Sequence, residues 1–298
     1  MTWSLYRWTW RLESPLYIGM PPAGSLNRSR LYVPARAVWG AVTAEIARRK
    51  AGNQRPDYQN TGIPLREKAR FTYLFPAEQD DNKWLAWLPR YDEKEGLVWE
   101  REGAVSQKLG HREFRMRLLS TRPSTAIEPS SDTAAEGSLR ETECINTRWR
   151  DGNGRPGGPV ALVGYVFVHD GLAADLRATL EQLDAIMVGG DTRYGLGQLR
   201  RGEKTKATSV FCYSVDLGKD EPEVEAERVL AHAAVSDGAS RELRGEMELL
   251  RGWDYGKSDH WHTPKPLWVP GLAGEAPRVW RIDAVGHWSL SDYLPVTR

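Results

Sequence analysis

VALVGYVFVHDGLAADLRATLEQLDAIMVGGDTRYGLGQLRRG, residues Val160–Gly202, is the stretch on which the fold turns. Val160 to His169 is almost wholly apolar, the pattern of a buried strand. Leu172, Leu176, Leu180 and Leu183 then recur three and four residues apart, the stripe of an amphipathic helix. That helix runs into GGDTRYGLG, Gly189–Gly197, followed by Arg200, Arg201, Lys204 and Lys206. Glycines there permit positive φ and close backbone approach, so exposed amides can meet phosphate oxygens while the cations supply charge. The plainer alternative is a helix C-cap and a tight turn. The spacing matches neither GxxxxGK[ST] nor the dinucleotide fingerprint, which joins strand to helix, so nucleotide hydrolysis has no support.

Outward from this stretch the chain interleaves strands and helices, an α+β class without a solenoid repeat. Residues 3 to 13 alternate, with Tyr6, Trp8, Trp10 and Leu12 on one face and Leu5, Arg7, Thr9 and Arg11 on the other, predicting a strand with one covered face. Arg7 and Arg11 then either face a partner from the sheet or form ordinary surface pairs. After a Gly/Pro/Ser-rich loop, Gly19 to Ser29, Pro34 opens a helix with Val38, Val42 and Ile46 at helical spacing and Arg48, Arg49 and Lys50 at its C-terminal end. Residues 51 to 106 predict short strands, with the aromatic run Trp84 to Leu88 among them. From Lys108 to Arg122, six basic residues face the single acid Glu113, and Pro123 to Gly137 reads as a projecting hairpin or mobile loop. After residue 205 the chain is first acidic, then predicts a helix from Val224 to Val235, then spreads Trp253, Trp261, Trp268, Trp280 and Trp288 through the remainder. Acidic residues repel phosphates, so this part is expected to pack on the core or touch protein.

Lys+Arg of 41 against Asp+Glu of 40 leaves a net charge of +1, so any argument for nucleic acid comes from local clusters and not from the total. The two cysteines, Cys144 and Cys212, have no CxxC spacing for zinc and are too few for a disulfide scaffold, which favours a reducing interior. Arg7, Arg11 and Glu13 interrupt the N-terminal apolar residues, and no apolar run reaches membrane-spanning length, so a cytoplasmic location without a membrane partner is expected.

Three segments together carry a resemblance. GGDTRYGLGQLRRG resembles the glycine-rich loop that follows the second helix in the repeat-associated mysterious protein (RAMP) superfamily of prokaryotic CRISPR effectors. SPLYIGM followed by LYVPARAVWGAVTAEIARR is similar to that family's first strand, loop and first helix, and STRPSTAIEPSSDTAAEGSLRETECI resembles its thumb region. The resemblance spans about residues 3 to 205. It implies a ferredoxin-like βαββαβ fold related to the RNA recognition motif over residues 1–205, a thumb-like insertion at about 108–145, and a C-terminal extension at 206–298.

The resemblance further implies a guide-RNA (crRNA) ligand, a target RNA duplexed with it, and as neighbours other RAMP-type subunits and a large signalling subunit of a type III complex. Family members that cut target RNA place an aspartate in the loop after the first strand, whereas Gly19 to Val33 here holds no Asp or Glu. A non-catalytic subunit without cofactor or metal is therefore expected. It would cap the repeat-derived 5′ end of the guide, with a filament subunit along the guide as the alternative. The expected RNA contacts are Gly189, Gly190, Arg193, Tyr194, Gly195, Gly197, Arg200 and Arg201 in and after the loop. Arg28 and Arg30 join them from the first loop, Arg36 from the start of the first helix, and Lys108, Arg112 and Arg115 from the basic segment.

Competing chemistry is thinner. Asp259-His260-Trp261-His262 offers two imidazoles and a carboxylate to a metal, yet no second cluster completes a site, and a polar surface loop is the simpler reading. His111 could act as the general base of a guide-processing endoribonuclease, but no partner constellation accompanies it. His169, ending an apolar strand, reads as a satisfied core or edge histidine.

Overall fold

The computed structural model describes residues 2–234, 243–250, 252–253, 261–262 and 266–290. Alternation makes Trp3–Leu12 a strand, β1, and a two-residue strand, β2 (Leu26–Asn27), follows in the first loop. Pro34 leads into α1 (Ala35–Ala51), which buries Val38, Val42 and Ile46. α2 (Tyr58–Lys68) packs against it and is started by the Asp57 carboxylate, which accepts the Asn60 N–H at 2.9 Å. Five strands come next: β3 (Ala69–Phe71), β4 (Phe75–Asp80), β5 (Lys83–Asp92), β6 (Gly96–Arg101) and β7 (Ala104–Gly110). A short helix, α3 (His111–Leu118), turns the chain into a hairpin with arms β8 (Leu119–Ser124) and β11 (Arg140–Ile145) and tip strands β9 (Ile127–Glu128) and β10 (Thr133–Ala134). β12 (Arg148–Arg150) and β13 (Pro156–Pro159) pair together; β14 (Ala161–His169) is buried throughout; α4 (Ala174–Gln182) buries Leu176 and Leu180; β15 (Ala185–Met187) and β16 (Gln198–Lys206) flank the glycine-rich loop.

The first sheet runs β15-β16-β1-β14-β4-β5-β6-β7, with β3 also on β14, and every pairing is antiparallel. Its heart, β1-α1-β3/β4-β14-α4-β16, is strand, helix, two strands, helix, strand, with the strands in the spatial order fourth, first, third, second. The mixed α+β class therefore stands. Lys50 holds Asp175 at 2.7 Å, and Arg49 holds Asp184, so the cationic end of α1 is tied to α4 and its C-terminal turn.

Residues 209–290 build a second sheet. In spatial order its strands are Ser209–Val210, Tyr213–Asp216, Glu223–Arg228, Ala273–Ile282, Trp288–Leu290, Ala233–Ala234, Leu267–Trp268 and Met247–Glu248, with Leu243–Arg244 beside Ala273–Ile282. Both sheets share one continuous apolar core, to which the second contributes Phe211, Tyr213, Val224, Trp280 and Trp288. Arginine–carboxylate pairs also cross between the halves, three of them with the arginine buried and each of these at 2.8 Å: Arg30 with Glu248, Arg70 with Glu221 and Arg228 with Glu100. His232 extends one of them. Its ring accepts from the Tyr73 hydroxyl at Nδ1 and donates from Nε2 to Glu248, both at 2.6 Å.

Two sequence expectations are corrected, and a choice left open at Arg7 is decided. Of the expected helix Val224 to Val235, the described residues 224–234 hold none, because in Glu223–Arg228 the residues Val224, Ala226 and Arg228 turn inward at a period of two, which only a strand satisfies. Within 51–106 the strands are present, but Tyr58–Lys68 is helical despite Gly62 and Pro64. The second face of β1 is not open to a partner at Arg7. This guanidinium holds Glu102 through two bonds of 2.6 and 2.8 Å and lies 5.8 and 6.0 Å from the ring centres of Tyr165 and Phe211. Arg11, by contrast, is exposed and sits 3.6 Å from Glu13.

Candidate nucleic-acid interface

The glycine-rich loop closes against the segment leading out of β1. Gly190 donates to the Tyr17 carbonyl at 2.9 Å, Gly197 to Pro15 at 2.8 Å, and Gly195 to Thr192 at 3.1 Å across a 3-10 turn. A Cβ at Gly189 would lie 2.2 Å from the Tyr17 oxygen, and one at Gly197 would lie 1.9 Å from that of Val188, both at positive φ. These glycines are there because backbone passes backbone at contact distance. The expectation that their amides cradle phosphate changes accordingly: those of Gly190, Gly195 and Gly197 are taken up within the fold. What the loop presents outward is Arg193 and Tyr194, the latter 69% exposed.

The same β1 extension fixes the hairpin, since Leu16 and Ile145 exchange backbone hydrogen bonds of 2.9 and 2.8 Å. β8 and β11 pair over six residues from this buried base, and beyond Ser120 the outer arm is exposed, so the hairpin projects. Hairpin and loop face each other across a cleft of about 400 Å³. Arg122, Ser124, Thr125, Ser138 and Arg140 line one wall; Asp191, Tyr194 and Leu196 line the other. The Arg140 guanidinium carbon stands 5.6 Å from the Tyr194 ring centre, and its Nη2 is 3.4 Å from Asp191. The cleft therefore combines an exposed aromatic plane, two arginines, hydroxyls and one partly neutralised acid, which is the chemistry that stacks a base and holds its phosphate. Arg122 ends the basic run and Arg140 stands in the thumb-like segment, but neither is among the RNA contacts expected from sequence, because nothing linear places them across from Tyr194.

The remaining expected contacts divide. Arg200 pairs with Glu13 at 3.7 Å, and Arg201 donates to the Glu181 carbonyl at 2.8 Å, so both are engaged within the chain beside the loop. Arg30, expected to be outward, is instead buried against Glu248. Glu143 joins Arg115 at 2.6 Å and accepts the Ser29 N–H at 3.0 Å, stitching α3 to the first loop near Arg28. Arg112 is exposed on α3, and Lys108 is exposed but paired with Glu95 at 2.5 Å. Arg36 lies elsewhere, on the wall of a groove between α1 and α2.

His111 is tied into a corner of the core: its ring stacks on Trp99 and its Nδ1 accepts the indole N–H at 3.2 Å. Burial, with Arg115 and Arg28 adding repulsion, pushes its pKa down to about 4. His169 Nδ1 accepts the Gly171 N–H at 3.0 Å and its ring meets Trp3 edge-on, a satisfied edge histidine. Asp259 and His260 lie outside the described residues. Among the described residues no group of three His, Cys, Asp or Glu side chains is placed to hold a metal, and no helix is long and apolar enough to cross a membrane.

No protein-family model matches the sequence, and no curated protein does. Solved structures do. A chain in the cryo-electron microscopy structure of the type III-B Cmr-beta complex bound to cognate target RNA and AMPPnP aligns over 90% of this chain and 86% of its own, with TM-score 0.52 at 11% identity. Chains of Cmr-beta bound to cognate target RNA and in its apo state align over 66% and 67% of this chain, each with TM-score 0.40, at 9% and 10% identity. The first likeness establishes a shared fold over nearly the whole length.

Proposed function

We propose that this chain is a non-catalytic guide-RNA-binding subunit of a type III CRISPR effector, built on a ferredoxin-like RAMP unit, and that it caps the repeat-derived 5′ end of the guide. The observation that carries the reading is the cleft in which Tyr194, Arg140 and Arg122 converge between glycine-rich loop and hairpin. The strand order fourth, first, third, second around β1 supports the ferredoxin-like core, and the fold shared with a chain of a complex bound to cognate target RNA supports the assembly. In this reading residues 1–205 grip RNA. The hairpin presses on the guide, Tyr194 stacks on a base, and Arg122, Arg140 and Arg193 meet phosphates. Residues 206–298 brace that unit and offer surface to neighbouring subunits.

The test is to purify the tagged chain from its host at moderate salt and sequence the RNA that accompanies it. The reading expects guides with one common repeat-derived 5′ end, and crosslinks from Tyr194 to nucleotides at that end. Crosslinks recurring at regular intervals along the guide would assign a filament position instead. An intact multi-subunit preparation with no common RNA would overturn the proposal.

A further inference from the structure

We propose that the groove between α1 and α2 seats an acidic, apolar-anchored segment of a partner protein. This rests on the reading of the chain as a subunit of an assembly. The groove measures about 820 Å³, within the range of sites that bury a ligand. Its walls leave unusual apolar surface in water: Tyr58 is 50% and Ile63 39% exposed, both on α2. Trp39 of α1 forms part of the floor, its ring fixed because Nε1 donates to the Gly62 carbonyl at 3.1 Å.

Two features have no explanation inside the chain. Gly40 sits in the interior of α1, where glycine costs roughly 1 kcal/mol relative to alanine, yet a Cβ there would meet nothing within 4 Å. The missing side chain leaves that space open to the groove. Thr43, one turn further along the same wall and 5% exposed, has a hydroxyl without a hydrogen-bond partner among the described residues. By contrast Gly62 is needed internally, since its Cβ would lie 3.0 Å from the Trp39 ring.

Charge and shape select the occupant. Arg55 and Arg66 stand exposed on the rim, with Arg36 on the α1 wall. The one acid, Asp57, is turned to the first turn of α2, accepting from the Asn60 N–H and Nδ2 at 2.9 and 2.6 Å. A cationic rim over an apolar trough complements leucine- or phenylalanine-type side chains flanked by carboxylates.

The test places a benzoylphenylalanine photocrosslinker at Gln59, on the groove rim, in the full chain, and the complex is purified from its host and irradiated. The expected product joins Gln59's position to one protein segment carrying an apolar residue between acids. In Gly40→Leu the Cβ meets nothing within 4 Å and the branched end occupies the trough, so the variant should keep or raise the melting temperature while reducing that crosslink at least tenfold. Arg55→Glu with Arg66→Glu should do the same with the melting temperature unchanged. Crosslinks to RNA alone, to a neutral or basic segment, or to nothing, or a crosslink indifferent to Gly40→Leu, overturn the proposal. The RNA content of the same preparation separates the two readings. Guide RNA present without the crosslink sinks the groove alone, and the crosslink present without guide RNA sinks the effector assignment alone.

Discussion

At the scale of single residues, the four glycines of the loop are not equivalent. At Gly197 the added methyl group would sit 1.9 Å from the Val188 oxygen, whereas at Gly195, also at positive φ, it would meet open space. Gly195→Ala should therefore cost about 1 kcal/mol, the penalty of a left-handed backbone alone. Gly197→Ala should cost about 3 kcal/mol or more, because the loop must part from the Val188 carbonyl. Chemical denaturation of the two variants measures the difference directly. Tyr194→Ala removes an exposed ring, so stability should hold while affinity for single-stranded guide falls by a stacking contribution of about 1–3 kcal/mol, roughly five- to 150-fold. Fluorescence anisotropy with a labelled guide checks it, and unchanged affinity would remove Tyr194 from the interface. The sequence showed that this loop needs glycine. It did not show which backbone each glycine makes room for, since Pro15, Tyr17 and Val188 are reached only by folding.

Elements were legible where one period dominated. β14, α4 and α1 announce themselves by unbroken apolar character or by a stripe of branched residues. α2 does not, because Gly62 and Pro64 are punctuation in any linear reading, and its helix persists because Asp57 caps it and Thr61 and Leu65 are buried on α1's side. Glu223–Arg228 overlaps a span that predicts a helix, and its inward period of two at Val224, Ala226 and Arg228, with Arg228 paired to Glu100, makes it a strand. The joins between elements carry a pH dependence. His111 between β7 and α3, and His232 between the two sheets, both have pKa values lowered chiefly by burial, His232 in spite of the Glu248 carboxylate. An unfolded histidine takes up a proton near pH 6.5, whereas these two stay neutral in the fold, His111 down to about 4. From about pH 6.5 downward the unfolded chain binds protons that the native chain refuses, so stability should fall on acidification and stay level above pH 7. His111→Asn keeps an acceptor for the Trp99 N–H but cannot titrate, and should flatten the slope of unfolding free energy between pH 7 and 5. An unaltered slope would assign the dependence to other groups.

For the molecule as a whole, net charge gives no pointer to the proposed interface, because a formal +1 is spread over 298 residues while Arg122 and Arg140 line one cleft and Arg193 stands exposed on the loop beside it. Replacing all three with alanine should lower the slope of log affinity against log salt by about 2, near 0.7 for each phosphate contact on a single strand. Binding titrations from low to moderate salt read this, and an unchanged slope would place the RNA elsewhere. The shared core makes a second prediction. A chain ending at Lys206 exposes what Phe211, Trp280 and Trp288 cover, so it should lack a cooperative melting transition that the full chain shows by calorimetry.

The three arginine–carboxylate pairs with buried arginines bear on descent as much as on stability. Arg30, Arg70 and Arg228 are buried cations whose counter-charges are encoded far away in the chain, at Glu248, Glu221 and Glu100. A buried guanidinium stripped of its carboxylate is strongly destabilising, about 3–5 kcal/mol, so neither partner can drift alone. Mutations at these six positions should fix in compensating couples. A chimera joining this N-terminal half to the C-terminal half of a distant relative would inherit mismatched halves of all three couples at once. The two sheets should therefore exchange between relatives only as one unit, with a crossover between residues 100 and 221 splitting all three couples.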